Sequence, residues 1–155
     1  TFNPGTHQLR RGLKKLAPLI ARSTVFIVNK EEAERLLACE PMPVPRLLNE
    51  LREYGTGIFV ITDGTNGSYA TDGQDIWRCD IFPGQVIERT GAGDSFATAF
   101  SYALLEGKNI AEALRYGTAQ AWSVVQFIGP QAGLLDKAAL ERTLKKFAKV
   151  QAKKI

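Results

Sequence analysis

The sequence predicts an α/β fold in which a sheet carries helices on both of its faces. Three observations predict it. Two short runs rich in β-branched and aromatic residues, TVFIVN and GIFVITDG, read as buried strands. The segments around them carry apolar residues at helical spacing. The two patterns alternate along the chain, which is the signature of helices packed against a common sheet.

The opening TFNPG reads as the end of a strand running into a turn. His7 to Arg22 places Leu9, Leu13, Leu16 and Ile20 on one helical face, and Pro18 is expected to end or kink that helix. Thr24 to Asn29 is the first buried strand. KEEAERLLA then makes a helix, and the three prolines of CEPMPVP force a loop after it. Val44 to Tyr54 is a further helix, closed by Gly55. GIFVITDG is the second buried strand, and the Asp-Gly and Asn-Gly pairs that follow mark a hairpin region through SYAT and DIWRCDI. From Thr90 onward the pattern is helical: Gly91 to Leu105, Asn109 to Phe127, and Asp136 to Lys149, the last with Asp136 as its N-cap.

At 155 residues the chain is expected to form a single domain over residues 1–155, long enough to bury a core. Hydrophobic residues make up 45% and charged residues 23%, values of an ordinary globular protein. The formal charge of +4 comes largely from QLRRGLKKL and LKKFAKVQAKK, two helical stretches without the interleaved aromatics of a nucleic-acid surface. Solvated helix faces account for them, and no nucleic acid is expected as a partner. Cys39 and Cys79 are isolated and lack metal-ligand spacing, so reduced thiols and a cytoplasmic location are expected. No apolar run approaches the ~20 residues of a membrane span, and no membrane partner is expected.

In sheets of this kind ligands gather at the carboxyl ends of strands. Three polar segments fall there: Asn29, the loop Thr62 to Gly67, and the turn Gly91 to Asp94 within ERTGAGDSFATAF. The last is not a Walker loop, because no Lys follows Gly93. Nor is it a dinucleotide fingerprint, because Phe96 stands where a third small residue belongs. What remains is a short turn at a helix start whose backbone N–H groups can converge on an anion. Asp94 is then either a helix cap, a task that Ser95 could share, or a working carboxylate beside a bound phosphate. The second choice names a chemistry. Asp94 accepts the proton of an alcohol while that alcohol attacks the γ-phosphoryl group of a nucleotide, and the N–H groups of Ala92, Gly93 and Asp94 stabilise the transferring charge.

These residues resemble the ribokinase-like carbohydrate kinases, also called the PfkB family. Four stretches match in order: FNPGTHQ, a strand-end Asn-Pro turn; NKEE, an N-x-x-E motif at Asn29 and Glu32; ITDGTNG, a T-x-G-x-x-G loop at Thr62, Gly64 and Gly67; and TGAGDSF, the G-A-G-D signature. The resemblance covers essentially the whole chain, but only the C-terminal half of a family member. It implies a three-layer α/β/α sandwich carrying the nucleotide-binding portion, with the N-terminal strands and the β lid lying outside this sequence. It implies an ATP-dependent transfer to a hydroxyl of a sugar or nucleoside, with Asp94 as base and Gly91, Ala92 and Gly93 as anion hole. Thr62, Gly64 and Gly67 would wrap the nucleotide, with Thr118 and Trp122 bordering its base. Asn29 and Glu32 would help hold Mg²⁺ through water.

The chain departs from the family's pattern at Glu88, Arg89 and Thr90, which stand in place of Asp-Thr-Thr. That Asp typically belongs to a monovalent-cation site completed by a later loop, here Gly129 to Gly133. Glu88 keeps the charge and Arg89 adds a positive one, so either K⁺ dependence is weakened or Arg89 points elsewhere. Thr118 stands where Asn is common. The acceptor contacts belong to the half outside this sequence, so residues 1–155 alone are expected to bind nucleotide weakly and turn over nothing. An open sheet edge would also invite homodimerisation. The competing reading is an inactive nucleotide-binding module, against which the intact Asp94 argues.

Overall fold

The computed structural model describes residues 1–155. Seven helices and five strands follow one another as α1 (Thr6–Leu9), α2 (Leu13–Ala21), β1 (Val25–Asn29), α3 (Lys30–Leu37), α4 (Val44–Arg52), β2 (Ile58–Thr62), β3 (Ser68–Thr71), β4 (Ile76–Cys79), α5 (Ala92–Leu105), α6 (Ile110–Val124), α7 (Lys137–Lys146) and β5 (Lys153–Lys154). The sheet runs in chain order, β1-β2-β3-β4-β5. Only β1 and β2 are parallel; every later neighbour is antiparallel. Phe2 adds an isolated parallel bridge to Phe26 at the outer edge of β1.

The period-2 pattern of the strands divides the core. Phe26, Val28, Phe59 and Ile61 face one layer, where they meet Leu16 and Ile20 of α2, Ala33 and Leu36 of α3, and Val44, Leu47, Leu48 and Leu51 of α4. Val25, Ile27, Val60, Ala70 and Cys79 face the other, against Phe96 and Phe100 of α5 and Ala113 and Leu114 of α6. The predicted three-layer arrangement is therefore present. On the second face α5 and α6 approach closely because Gly117 leaves room for Phe96; a Cβ at Gly117 would come within 2.7 Å of that ring. A smaller cluster of Phe82, Ala119, Leu140 and Leu144 seats α7. Arg115 of α6 donates to the carbonyls of Leu144 and Val150, at 2.9 and 2.8 Å, and so ties down the chain after α7. No helix is long and apolar enough to cross a membrane.

Three expectations need correction, and a fourth is borne out. The helix expected over His7 to Arg22 is two helices, broken at Gly12, whose φ of +77° suits glycine. Pro18 neither ends nor divides α2; it sits inside it, exposed. The hairpin region expected after β2 is present as the antiparallel pairs β2-β3 and β3-β4, the first joined through a 3-10 turn, Gly64–Asn66. The basic tail ends in β5, whose two lysines pair with Trp77 and Arg78 of β4.

Candidate functional site

β1 and β2 end level with each other, with Asn29 and Thr62 as register partners. This places both polar residues at the same carboxyl edge of the sheet. Asn29 has no loop after it. It is at once the last residue of β1 and the N-cap of α3, its side chain accepting from the Glu32 N–H at 2.9 Å. Glu32 returns the contact by accepting the Asn29 N–H at 2.8 Å, which completes a capping box. Asn29 therefore has a structural role as a helix cap, and Glu32 shares it. One Glu32 carboxylate oxygen and the Asn29 amide group remain without a protein partner.

The loop after β2 is closed by the Asp63 N–H donating to the Gly67 carbonyl at 2.8 Å. Gly67 has φ +94°, and a Cβ there would strike the Cys79 carbonyl oxygen of β4. Here the fold itself demands glycine. Thr62, Gly64, Gly67, Ala92, Gly93, Thr118 and Trp122 all line one cleft of about 210 Å³. Seven of the proposed site residues therefore share one cavity. Trp122 forms its wall rather than a free platform: its indole N–H donates to the Pro83 carbonyl at 2.9 Å, and its ring sits 4.9 Å edge-on from Phe147. Thr118 is buried against Cys79, whose thiol is pushed up by burial and held back in part by the Thr118 hydroxyl.

The first turn of α5 separates this cleft from a second cavity of about 630 Å³, lined by Gly91, Asp94, Ser95, Thr98 and residues of the 130–135 loop. Gly91 is the N-cap, with φ +81° and a position where a Cβ would come within 2.6 Å of Pro130. That fixes the phase of the helix. Asp94 falls at the third helical position with an exposed carboxylate that accepts no hydrogen bond, so it does not cap α5. Ser95 does not cap it either: it is 5% exposed, and its hydroxyl donates to the Ala92 carbonyl at 3.0 Å. The Ala92 N–H, expected in the anion hole, instead donates to the Arg89 carbonyl at 3.2 Å. The N–H groups of Gly93 and Asp94 have no protein partner, and they are the open donors at this helix start.

Glu88 reaches the predicted later loop. Its carboxylate lies against the Thr90 hydroxyl, which does most to hold it below the usual carboxylate range, and accepts the Gly129 N–H at 2.7 Å, which adds to the same effect. Glu88 thus straps two loops together. The Gly129 N–H engages one of the two carboxylate oxygens, and the charge that the Glu88 site offers remains. Ser68 gave no signal in the sequence beyond following Gly67. It lines the first cleft, is 3% exposed, and its buried hydroxyl has no partner.

Gly93 stands apart from the other glycines of the site. Its φ is not positive, and a Cβ built there meets no atom within 4 Å. Nothing inside the protein requires glycine at this position. Gly93→Ala is expected to leave stability unchanged or raise it by up to ~1 kcal/mol, because alanine is the better helix former. If Gly93 is glycine so that a phosphate can approach, the same substitution weakens nucleotide binding roughly tenfold or more. Thermal melting and calorimetric titration of one variant read both; unchanged affinity would remove Gly93 from the anion hole.

The pfkB family carbohydrate kinase model matches residues 7–138. An uncharacterized sugar kinase of Archaeoglobus fulgidus is 28% identical over 134 residues, which is 86% of this chain and 52% of that protein. The crystal structure of a nucleoside kinase of Methanocaldococcus jannaschii, an archaeal member of the ribokinase family, superposes with a TM-score of 0.79 at 26% identity, over 94% of this chain and 47% of the other. Arabidopsis thaliana ribokinase complexed with ribose and ATP superposes with a TM-score of 0.76 at 28% identity, over 83% and 43%. The chain spans about half the length of these relatives. With a family match over most of its length and the G-A-G-D turn at the head of α5, the chain belongs to the pfkB family of carbohydrate kinases.

Proposed function

We propose that residues 1–155 are the single-domain nucleotide-binding portion of a kinase that moves the γ-phosphoryl group of ATP to a hydroxyl of a sugar or nucleoside. The observation that carries the reading is Asp94. A carboxylate that accepts no hydrogen bond stands beside two unpartnered backbone N–H groups, where a capping role would have engaged it. Similarity to a ribokinase complexed with ribose and ATP supports the choice of substrate class. In the proposed reaction the Asp94 carboxylate takes the proton of the acceptor hydroxyl as that oxygen bonds to the γ-phosphorus. The bond from phosphorus to the β-bridging oxygen breaks, and ADP leaves. The Gly93 and Asp94 N–H groups hold the charge on the transferring group, in a position set by Gly91. Thr62, Gly64 and Gly67 hold the nucleotide in the same cleft as Gly93, together with Thr118 and Trp122.

Mg²⁺ fits the donor set in a limited way. No three His, Cys, Asp or Glu side chains come together to hold a metal. A single hard oxygen from Glu32, acting through water beside phosphate oxygens, suits an ion that keeps most of its waters. When bound, the ion would draw charge from the phosphate oxygens. Glu32→Gln keeps an acceptor for the capping box and removes only the charge. It is expected to raise the Mg²⁺ concentration needed for half-maximal activity while the melting temperature moves little. A loss of stability with no change in Mg²⁺ dependence would leave Glu32 as a helix cap alone.

Product assays with Mg-ATP over a panel of sugars and nucleosides test the whole reading. Residues 1–155 by themselves are expected to bind ATP and to release no acceptor-dependent ADP, since most of the rate gain from positioning the acceptor is lost without its contacts. Acceptor-dependent ADP release from these residues alone would show that the acceptor site lies within them. Absence of nucleotide binding would overturn the reading.

A further inference from the structure

The first cleft is lined by eighteen residues, of which Arg89 alone is charged. Its guanidinium forms no ion pair and donates no hydrogen bond within the chain. The carboxylates nearest in sequence are not available to it. Glu88 is committed to the Gly129 N–H and the Thr90 hydroxyl, and Asp94 lines the other cavity. The Arg89 carbonyl accepts the Ala92 N–H, so the residue is anchored by its backbone directly before the turn that presents the free Gly93 and Asp94 N–H groups. Elsewhere in the same cleft, the Ser68 hydroxyl is buried and unpartnered, so this cavity holds a second polar group with unmet bonding capacity.

We propose that Arg89 is a polyphosphate-positioning residue, its guanidinium pairing with the phosphate oxygens of the nucleotide as the α5 start receives the terminal phosphate. The inference rests on the nucleotide reading above and goes beyond it. Guanidinium suits the task because its planar fork of donors matches two phosphate oxygens at once and remains charged at any working pH. It also resolves an electrostatic difficulty. Asp94 places a negative charge next to a polyanion, and Arg89 supplies the compensating charge from the nucleotide's own side of the helix start. In this chain the residue between Glu88 and Thr90 therefore takes part in ligand binding rather than in the strap that joins those neighbours to the 129–133 loop.

The test is a calorimetric titration of the 155-residue chain with a non-hydrolysable ATP analogue, with inorganic tripolyphosphate and with adenosine. Wild type is compared with Arg89→Ala and Arg89→Lys at two salt concentrations. Arg89 is exposed and its side chain has no partner in the chain, so both variants should fold, and circular dichroism and melting verify that. Arg89→Ala is expected to weaken the analogue and tripolyphosphate about tenfold or more, the scale of a hydrogen bond to a charged group. Adenosine affinity should be unchanged, the salt dependence of analogue binding should fall, and Arg89→Lys should recover part of the loss. A merely structural role would move adenosine as well. If wild type binds the analogue and Arg89→Ala binds it equally, the proposal is overturned while the nucleotide reading stands. If wild type binds none of the three, both fall.

Discussion

Asp94→Asn is expected to lower turnover of the catalytically competent protein by roughly 10²–10⁴-fold, the range for a positioned acid or base. The substitution is close to isosteric, and the side chain it replaces is exposed and makes no hydrogen bond, so no packing is disturbed. The only structural cost is the loss of a negative charge in the first turn of α5, worth about 0.3–1 kcal/mol against the helix dipole. Melting temperature should therefore hardly move, and nucleotide affinity should hold or tighten because a charge beside the phosphates has gone. Turnover close to wild type, measured with saturating Mg-ATP and acceptor, would remove Asp94 from the chemistry. Loss of nucleotide binding together with turnover would assign it to binding instead.

Gly67→Ala is expected to be the most destabilising change within the candidate site. Two costs add. A residue with a side chain is strained at φ +94°, and the new methyl group meets the Cys79 carbonyl of the paired strand β4, a backbone atom that cannot swing aside. Together they should cost about 2–4 kcal/mol, which for a chain of this size lowers the melting temperature by roughly 4–16 °C. Gly64, in the same loop, has a positive φ of +51° but no atom within 4 Å of a Cβ, so Gly64→Ala should cost less. Equal melting temperatures for the two variants would show that the contact with the Cys79 carbonyl is not what requires Gly67.

Much of this was legible in the residues. TVFIVN and GIFVITDG announced β1 and β2 to within a residue or two, because a strand buried on both faces needs an unbroken apolar run. Their polar last residues, Asn29 and Thr62, marked the edge where the site residues gather. What was not legible depended on helix phase or on partners distant in sequence. Whether Asp94 or Ser95 points outward is decided by Gly91 taking the N-cap, a position where Pro130 leaves no room for a side chain. β5 has no apolar signal at all; two lysines join the sheet only because β4 offers a free edge, with Lys154 meeting Asp75 in an ion pair. Ser68 became notable only when its hydroxyl was found buried and unpaired against a cleft built from four other segments.

The sheet runs in the order in which its strands are synthesised, and this has a consequence in time. During translation each new strand finds its neighbour already made, so pairing advances from β1 without waiting for a distant partner. The two faces do not mature together. The layer containing Leu16, Ile20, Leu36, Leu47 and Leu51 is complete in sequence before β2 emerges. The opposite face, with Val25, Ile27, Val60 and Ala70, stays bare until α5 and α6 have left the ribosome. A nascent chain stalled between β4 and α5 would therefore present an apolar sheet face to water or to a chaperone. Arrival of α5 and α6 would close that face, so the turn that carries Asp94 takes its place in the same step that buries the second core layer.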